Sequence, residues 1–185
     1  MKLAWLALTA FSILILVGCN STPPPARQAP SPGPSAENYP NLTARAKELE
    51  DAIGRKDYKK VVDLTYPKLI DLLGGREKML ADMTTQMKSM ETEGVELLSS
   101  VASPPTQFVH DANGIYAVVP VTTKLKAKDG IFQTEGSLIG ISNDGGATWT
   151  FLDASGKDQK ELKNMLPNVD KLNLPPEKPP TKLSN

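Results

Sequence analysis

The apolar period of this chain changes once, at Gly94, and that change limits its fold more than any other feature. Before it, apolar residues recur at helical spacing. Leu42, Ala46, Leu49 and Ile53 form one stripe, and Gly54 is placed to end it. Asp57 can cap a second helix whose apolar side holds Val61, Val62 and Leu64 with Tyr58. Pro67 suits the first turn of a short helix that runs to Leu73 and breaks at Gly74-Gly75. From Arg76 a further helix carries Met79, Leu80, Met83, Met87 and Met90 on one stripe, read as a core face packed on a sheet.

After Gly94 the period is two. Val95, Leu97, Ser99 and Val101 alternate until Pro104-Pro105, and Gln107 to His110 reads as a short strand before the turn at Asp111 to Gly114. Ile115, Ala117, Val119, Val121, Thr123 and Leu125 then point one way, and Tyr116, Val118, Pro120, Thr122, Lys124 and Lys126 the other. This predicts a strand with a core face and a wet face, with Pro120 at a sheet edge or bulge. Ile131 to Ser142 is the next strand, where Gly136 and Gly140 predict bulges or sharp bending. Thr148 to Asp153 is the last, with Trp149 and Phe151 on one face. Ser155 and Asp158 match a capping box for a final helix carrying Leu162, Met165 and Leu166. Helices first, then an antiparallel sheet of long bent strands, make an α+β plan with the helices on one face.

That order resembles the nuclear transport factor 2-like fold, in which N-terminal helices pack on a strongly curved, cone-like sheet. The residues that carry the resemblance are Asp57-Tyr58 into Val61-Val62, Tyr66-Pro67, Gly74-Gly75 and Trp149-Thr150-Phe151. A cystatin-like sheet or a small β-barrel shares much of the pattern.

The N-terminus has a different logic. Met1-Lys2 is followed by Leu3 to Val17, fifteen residues that are apolar apart from Thr9 and Ser12. This is the plan of a secretory leader, and it is shorter than the roughly 20 residues of a membrane-spanning helix. Leu16-Val17-Gly18-Cys19 resembles the bacterial lipobox. The resemblance implies cleavage after residue 18, a diacylglyceryl group on the thiol of Cys19, acylation of the new amino group, and an extracytoplasmic, membrane-attached product. Asn20, where Asp would favour the inner membrane, implies the periplasmic face of the outer membrane if the envelope is double. Residues 21–40 hold seven of the sixteen prolines, a composition that reads as an extended tether about 60 Å long at most. The expected organisation is a leader over 1–18, a lipidated tether over 19–40, an α+β domain over 41–166 and a proline-rich, irregular tail over 167–185.

Composition narrows the chemistry. Lys and Arg total 21, as do Asp and Glu, so no electrostatic footprint for nucleic acid is present. Cys19 is the only cysteine, and its lipidation would leave no thiol for a disulfide or a thiolate metal site. The methionine stripe could present an adaptable binding face, and thioether copper ligation has no His or Cys to support it. His110 is the only histidine and sits beside a turn. Neighbouring residues of a strand face opposite ways, which argues against a dyad with Asp111. Ser142-Asn143-Asp144-Gly145-Gly146-Ala147-Thr148-Trp149 resembles the Asp box of sialidase-type propellers, a non-catalytic hairpin motif; one copy after a helical half implies a structural turn with Trp149 packed beneath it. Lys124, Lys126 and Lys128 read as a solvated strand edge.

No motif assigns catalytic residues, a cofactor or a metal. Tyr58, Tyr66, Tyr116 and Asp153 are the polar and aromatic side chains placed to line a pocket in a cone. The expected function is a lipid-anchored binding or interaction module of the cell envelope, with an envelope protein or a small apolar molecule as ligand and a homodimer as a compatible state. The alternatives are a small cone-pocket enzyme of isomerase or dehydratase type, and an accessory protein of envelope assembly.

Overall fold

Asp57 begins the second helix by accepting a hydrogen bond from the backbone N–H of Lys60 at 3.2 Å, the cap its position foretold. The computed structural model describes residues 39–176 and 178–184, all within one compact unit, Ser35–Asn185. Cys19, the lipobox-like stretch and the proline-rich residues up to 38 lie outside them. The element order is α1 (Pro40–Gly54), α2 (Tyr58–Leu64), α3 (Pro67–Leu72), α4 (Arg76–Thr92), β1 (Glu96–Ala102), β2 (Gln107–Asp111), β3 (Gly114–Ala127), β4 (Gly130–Ser142), β5 (Thr150–Asp153), α5 (Gln159–Met165), a 3₁₀ turn (Val169–Lys171) and β6 (Thr181–Ser184). The class is α+β: N-terminal helices on a curved, cone-like antiparallel sheet.

The sheet runs β1-β3-β4-β5, with β2 also on β3 and β6 also on β4. β3 and β4 pair without a register break from Ile115↔Ser142 to Ala127↔Gly130. The glycines of β4 therefore mark no bulge. They mark close approach: a Cβ on Gly140 would come within 2.9 Å of Leu42 Cδ1, so the missing side chain lets α1 settle on the sheet. Pro120 is likewise not at an edge. Its carbonyl accepts from Ser103 N–H at 2.8 Å, on the side where β1 ends and β2 begins, so its absent N–H points at the kink that Pro104-Pro105 makes between them.

Helices cover both faces of the sheet, not one. Leu42, Ala46, Leu49, Val61 and Leu64 pack with Ile115, Ala117, Val119, Trp149 and Phe151 on the concave side. Tyr116, Val118, Ile139, Ile141 and Leu152 face the other way and are covered by Leu162, Met165, Leu166, Val169 and Leu172. The face expected to be wet is thus buried over the first half of β3, and the segment after residue 166 supplies part of the cover. The irregular tail expected there instead holds a 3₁₀ turn with buried Val169 and Leu172, then β6 against β4. The capping box of α5 is formed by Asp158, which accepts from Glu161 N–H at 2.8 Å, and Glu161, which accepts from Asp158 N–H at 3.1 Å. Ser155 instead donates its N–H to Asp153 Oδ1 at 2.9 Å, one turn earlier.

Two apolar patterns end differently from their periodicity. In β1 a register shift between Leu97 and Ser99 inserts Leu98 as an extra residue. It reverses the alternation beyond it, so Ala102 turns toward the core and Val101 stands 56% exposed. On α4 only Met79 is buried, while Leu80, Met83, Met87 and Met90 are half-covered. α1 already occupies the concave face, so α4 packs chiefly on α2 and α3.

Candidate functional site: the open end of the curved sheet

α1 crosses the concave face on its inner half, and beyond its last turns the sheet continues uncovered. The result is a cleft of about 440 Å³ between the end of α1 and strands β1, β3 and β4. Its floor is apolar: Leu49 and Ile53 from α1 face Leu97, Val121 and Leu138 from the sheet. Strand register explains the polar side chains among them, because Ser100, Thr123 and Thr134 lie on successive strands in one row. Ser100 Oγ donates to Glu50 Oε1 at 3.4 Å and lies 3.5 Å from Thr123 Oγ1. Apart from Glu50, the charged groups keep to the rim, where Lys178 Nζ meets Glu135 Oε2 at 2.7 Å with both side chains more than half exposed. A volume of a few hundred Å³ with an apolar floor and a few fixed polar groups is the ordinary form of a small-molecule site.

The four side chains singled out in the sequence do not converge there. Asp153 does line the cleft, exposed and turned back on the Ser155 N–H. Tyr58 is half-buried at the start of α2. Tyr66 and Tyr116 come near each other on the opposite face of the sheet, against the α5 core. Burial pushes both phenols up; for Tyr116 the Asp111 carboxylate adds to this, and a hydrogen bond with Asn168 works the other way. Asn168 Nδ2 in turn donates to Asp111 Oδ2, which lies 3.9 Å from Lys171 Nζ. This network holds the 3₁₀ turn to the β2–β3 hairpin, a structural task. His110 is exposed on β2.

Missed in the sequence were Glu50 and Ser100. Glu50 reads as one more solvated helix position, and Ser100 turns inward only because of the bulge at Leu98. A second cleft, of about 550 Å³, opens beside the first, and there Met87 and Met90 of α4 face Ile53 and Leu97. The exposed half of the methionine stripe therefore borders a cavity. Among the described residues no three His, Cys, Asp or Glu side chains are grouped to hold a metal, and no helix is long and apolar enough to cross a membrane.

The Ser142–Trp149 segment is a built turn. Asp144 accepts from Ser142 Oγ at 2.8 Å, from Thr148 N–H at 2.8 Å and from Thr148 Oγ1 at 2.6 Å. These bonds, led by the Thr148 hydroxyl, hold its carboxyl down at about 2. Trp149 Nε1 donates to Gly146 O at 3.1 Å, and Asn41 Nδ2 donates to the same carbonyl at 2.5 Å, tying the turn to the start of α1. Tyr39 closes the package, its ring 5.3 Å from Trp149 and 5.2 Å from Phe108. Gly146, at φ +92°, has a Tyr39 ring carbon 2.4 Å from where a Cβ would stand.

No protein-family model matches the chain, and no curated protein matches it.

Proposed function

We propose that this chain is a lipid-anchored, extracytoplasmic binding module of a bacterial cell envelope, held by Cys19 and taking a small, largely apolar ligand in the open end of its sheet. The nuclear transport factor 2-like reading belongs to the same proposal, supported by the order of helices and the curvature of the sheet. The observation that carries the binding reading is the placement of charge in the cleft. Glu135, Asp153 and Lys178 stand at the rim, and the floor offers apolar side chains with the hydroxyls of Ser100, Thr123 and Thr134. An apolar ligand there buries its own surface and that of Leu97, Val121 and Leu138, at about 25 cal/mol per Å². The hydroxyls then orient a polar group of the ligand. An acid–base enzyme needs instead a carboxylate or imidazole held against the reacting atoms, and the carboxylate nearest the floor, Glu50, is engaged with Ser100.

The test is titration of the full chain with the neutral fluorophore N-phenyl-1-naphthylamine. The expected result is saturable binding that Thr123→Trp, which fills the cleft, weakens at least tenfold without lowering thermal stability. Binding that survives Thr123→Trp and is lost with Met87→Glu would move the site to the neighbouring cleft. Turnover of a carbonyl substrate abolished by Glu50→Gln would replace the binding reading with the enzyme one.

A further inference from the structure

Two clefts that open side by side have two side chains in common. Ile53 of α1 and Leu97 of β1 line both the cleft of about 440 Å³ over the open sheet and the cleft of about 550 Å³ bordered by α4. Strand register gives the order of what lies along the way. Ser100, Thr123 and Thr134 make one row across the sheet, and Leu97, Leu125 and Phe132 make the next. Beyond Leu97 come Val95 and, from α4, Met87 and Met90. From Ser100 to Val95 the backbone covers about 15 Å, at roughly 3.3 Å per residue.

The two ends of this path differ in what they can hold. At the first, the Thr134 hydroxyl has no protein partner among the described residues, and Thr123 Oγ1 lies 3.5 Å from Ser100 Oγ. Charge there is mostly negative. Glu135 is paired with Lys178, while Glu50 and Asp153 accept from the neutral donors Ser100 Oγ and Ser155 N–H. An anionic head group would stand beside these carboxylates with no unpaired cation to meet it. An uncharged hydroxyl or ester suits a row of hydroxyls, which both donate and accept. At the other end the charges answer one another, Lys56 with Glu91 and Lys126 with Glu96. What that end offers a ligand is the apolar surface of Val95, Met87 and Met90, and thioether side chains adapt to what they cover.

Given that the open cleft is the ligand site, we propose that its ligand is a single-chain amphiphile with an uncharged, hydroxyl-bearing head, of the monoacylglycerol kind. The head lies on the row of Ser100, Thr123 and Thr134. The chain crosses between Ile53 and Leu97 and ends against Met87 and Met90, which gives the half-covered methionine stripe its cover. A rigid ring system fills one cleft, whereas a flexible chain runs through both.

Displacement of N-phenyl-1-naphthylamine from the full chain by 1-monoacylglycerols, hexanoyl to dodecanoyl and each below its micelle-forming concentration, tests the assignment. A buried CH₂ tightens binding about fourfold, so affinity is expected to climb at every step to dodecanoyl. Met87→Glu is expected to cut the dodecanoyl-to-hexanoyl affinity ratio at least tenfold, and Met90→Gln to move it the same way, with thermal melts like the parent's. Dodecanoate is expected to bind at least tenfold more weakly than monododecanoylglycerol. A fluorophore that does not bind removes the cleft as a site, and the amphiphile with it. A fluorophore that binds and is displaced by no monoacylglycerol removes the amphiphile alone. An affinity that levels off at octanoyl, a ratio unchanged in both variants, or tighter binding of dodecanoate or dodecylamine would each overturn the assignment as well.

Discussion

Protonation of Asp144 weakens the carboxylate on which three hydrogen bonds of the Ser142–Trp149 turn converge. Its carboxyl titrates at about 2 in the fold against an ordinary 3.8. A depressed carboxyl favours the folded state at every pH above its unfolded value, and that contribution fades as pH falls toward the folded one. The melting temperature is therefore expected to drop between pH 4 and pH 2 through this group, among others. Asp144→Asn should melt below the parent at pH 7 and show a shallower drop across that window. Thermal melts of the two chains from pH 7 to pH 2 measure it, and parallel curves would remove Asp144 from the acid response. This turn was legible at the residue scale because every partner of Asp144 lies within eight residues of sequence. Glu50 and Ser100 were not, since their meeting depends on one inserted residue in β1, and a bulge leaves no mark in apolar alternation.

The stretch between residues 166 and 174 changes what counts as the domain at the level of elements. Val169 and Leu172 are buried against Tyr116, Val118 and Ile139, and Asn168 reaches Asp111. Burying an aliphatic side chain of this size contributes about 1.5–3 kcal/mol. A chain ending at Leu166 is thus expected to lose about 3–6 kcal/mol, a large part of a stability of about 5–15 kcal/mol. A chain ending at Leu174 should keep most of the parent's melting temperature, because β6 adds only three register pairs beyond it. Calorimetry of both truncations decides this; equal melting temperatures would show that the segment adds nothing. Most elements could be read from periodicity and caps, as α1 to α3 and the β3–β4 hairpin show. Periodicity names an apolar face but not its cover. β3 reads as half wet because part of its cover is a short, proline-flanked segment whose apolar residues, Val169 and Leu172, are too few to show a period. The methionine stripe misleads for the converse reason: its face is apolar, and the sheet it would have covered is taken by α1.

For the whole molecule, address and task are written in different places. The proposed lipid attachment rests on Leu16 to Cys19 and predicts that Cys19→Ser moves the protein from the membrane to the soluble fraction, read by fractionation of expressing cells. A variant that stays with the membrane would remove the lipid from the account. The domain's own contribution is a sheet with one end packed on both sides and the other open. Beside β5 the chain passes from one face to the other: Thr65 bridges Phe151 in parallel, and Tyr66 N–H donates to Phe151 O at 2.8 Å as α2 gives way to α3. α2 belongs to the concave core, and Tyr66 and Leu69 to the opposite one. The crossing therefore sews the two cores together along the rim of β5, while β3, β4 and β5 serve as their common wall. Neither core can loosen without pulling that seam, so heat should dissolve both in one cooperative event rather than peel them apart in turn.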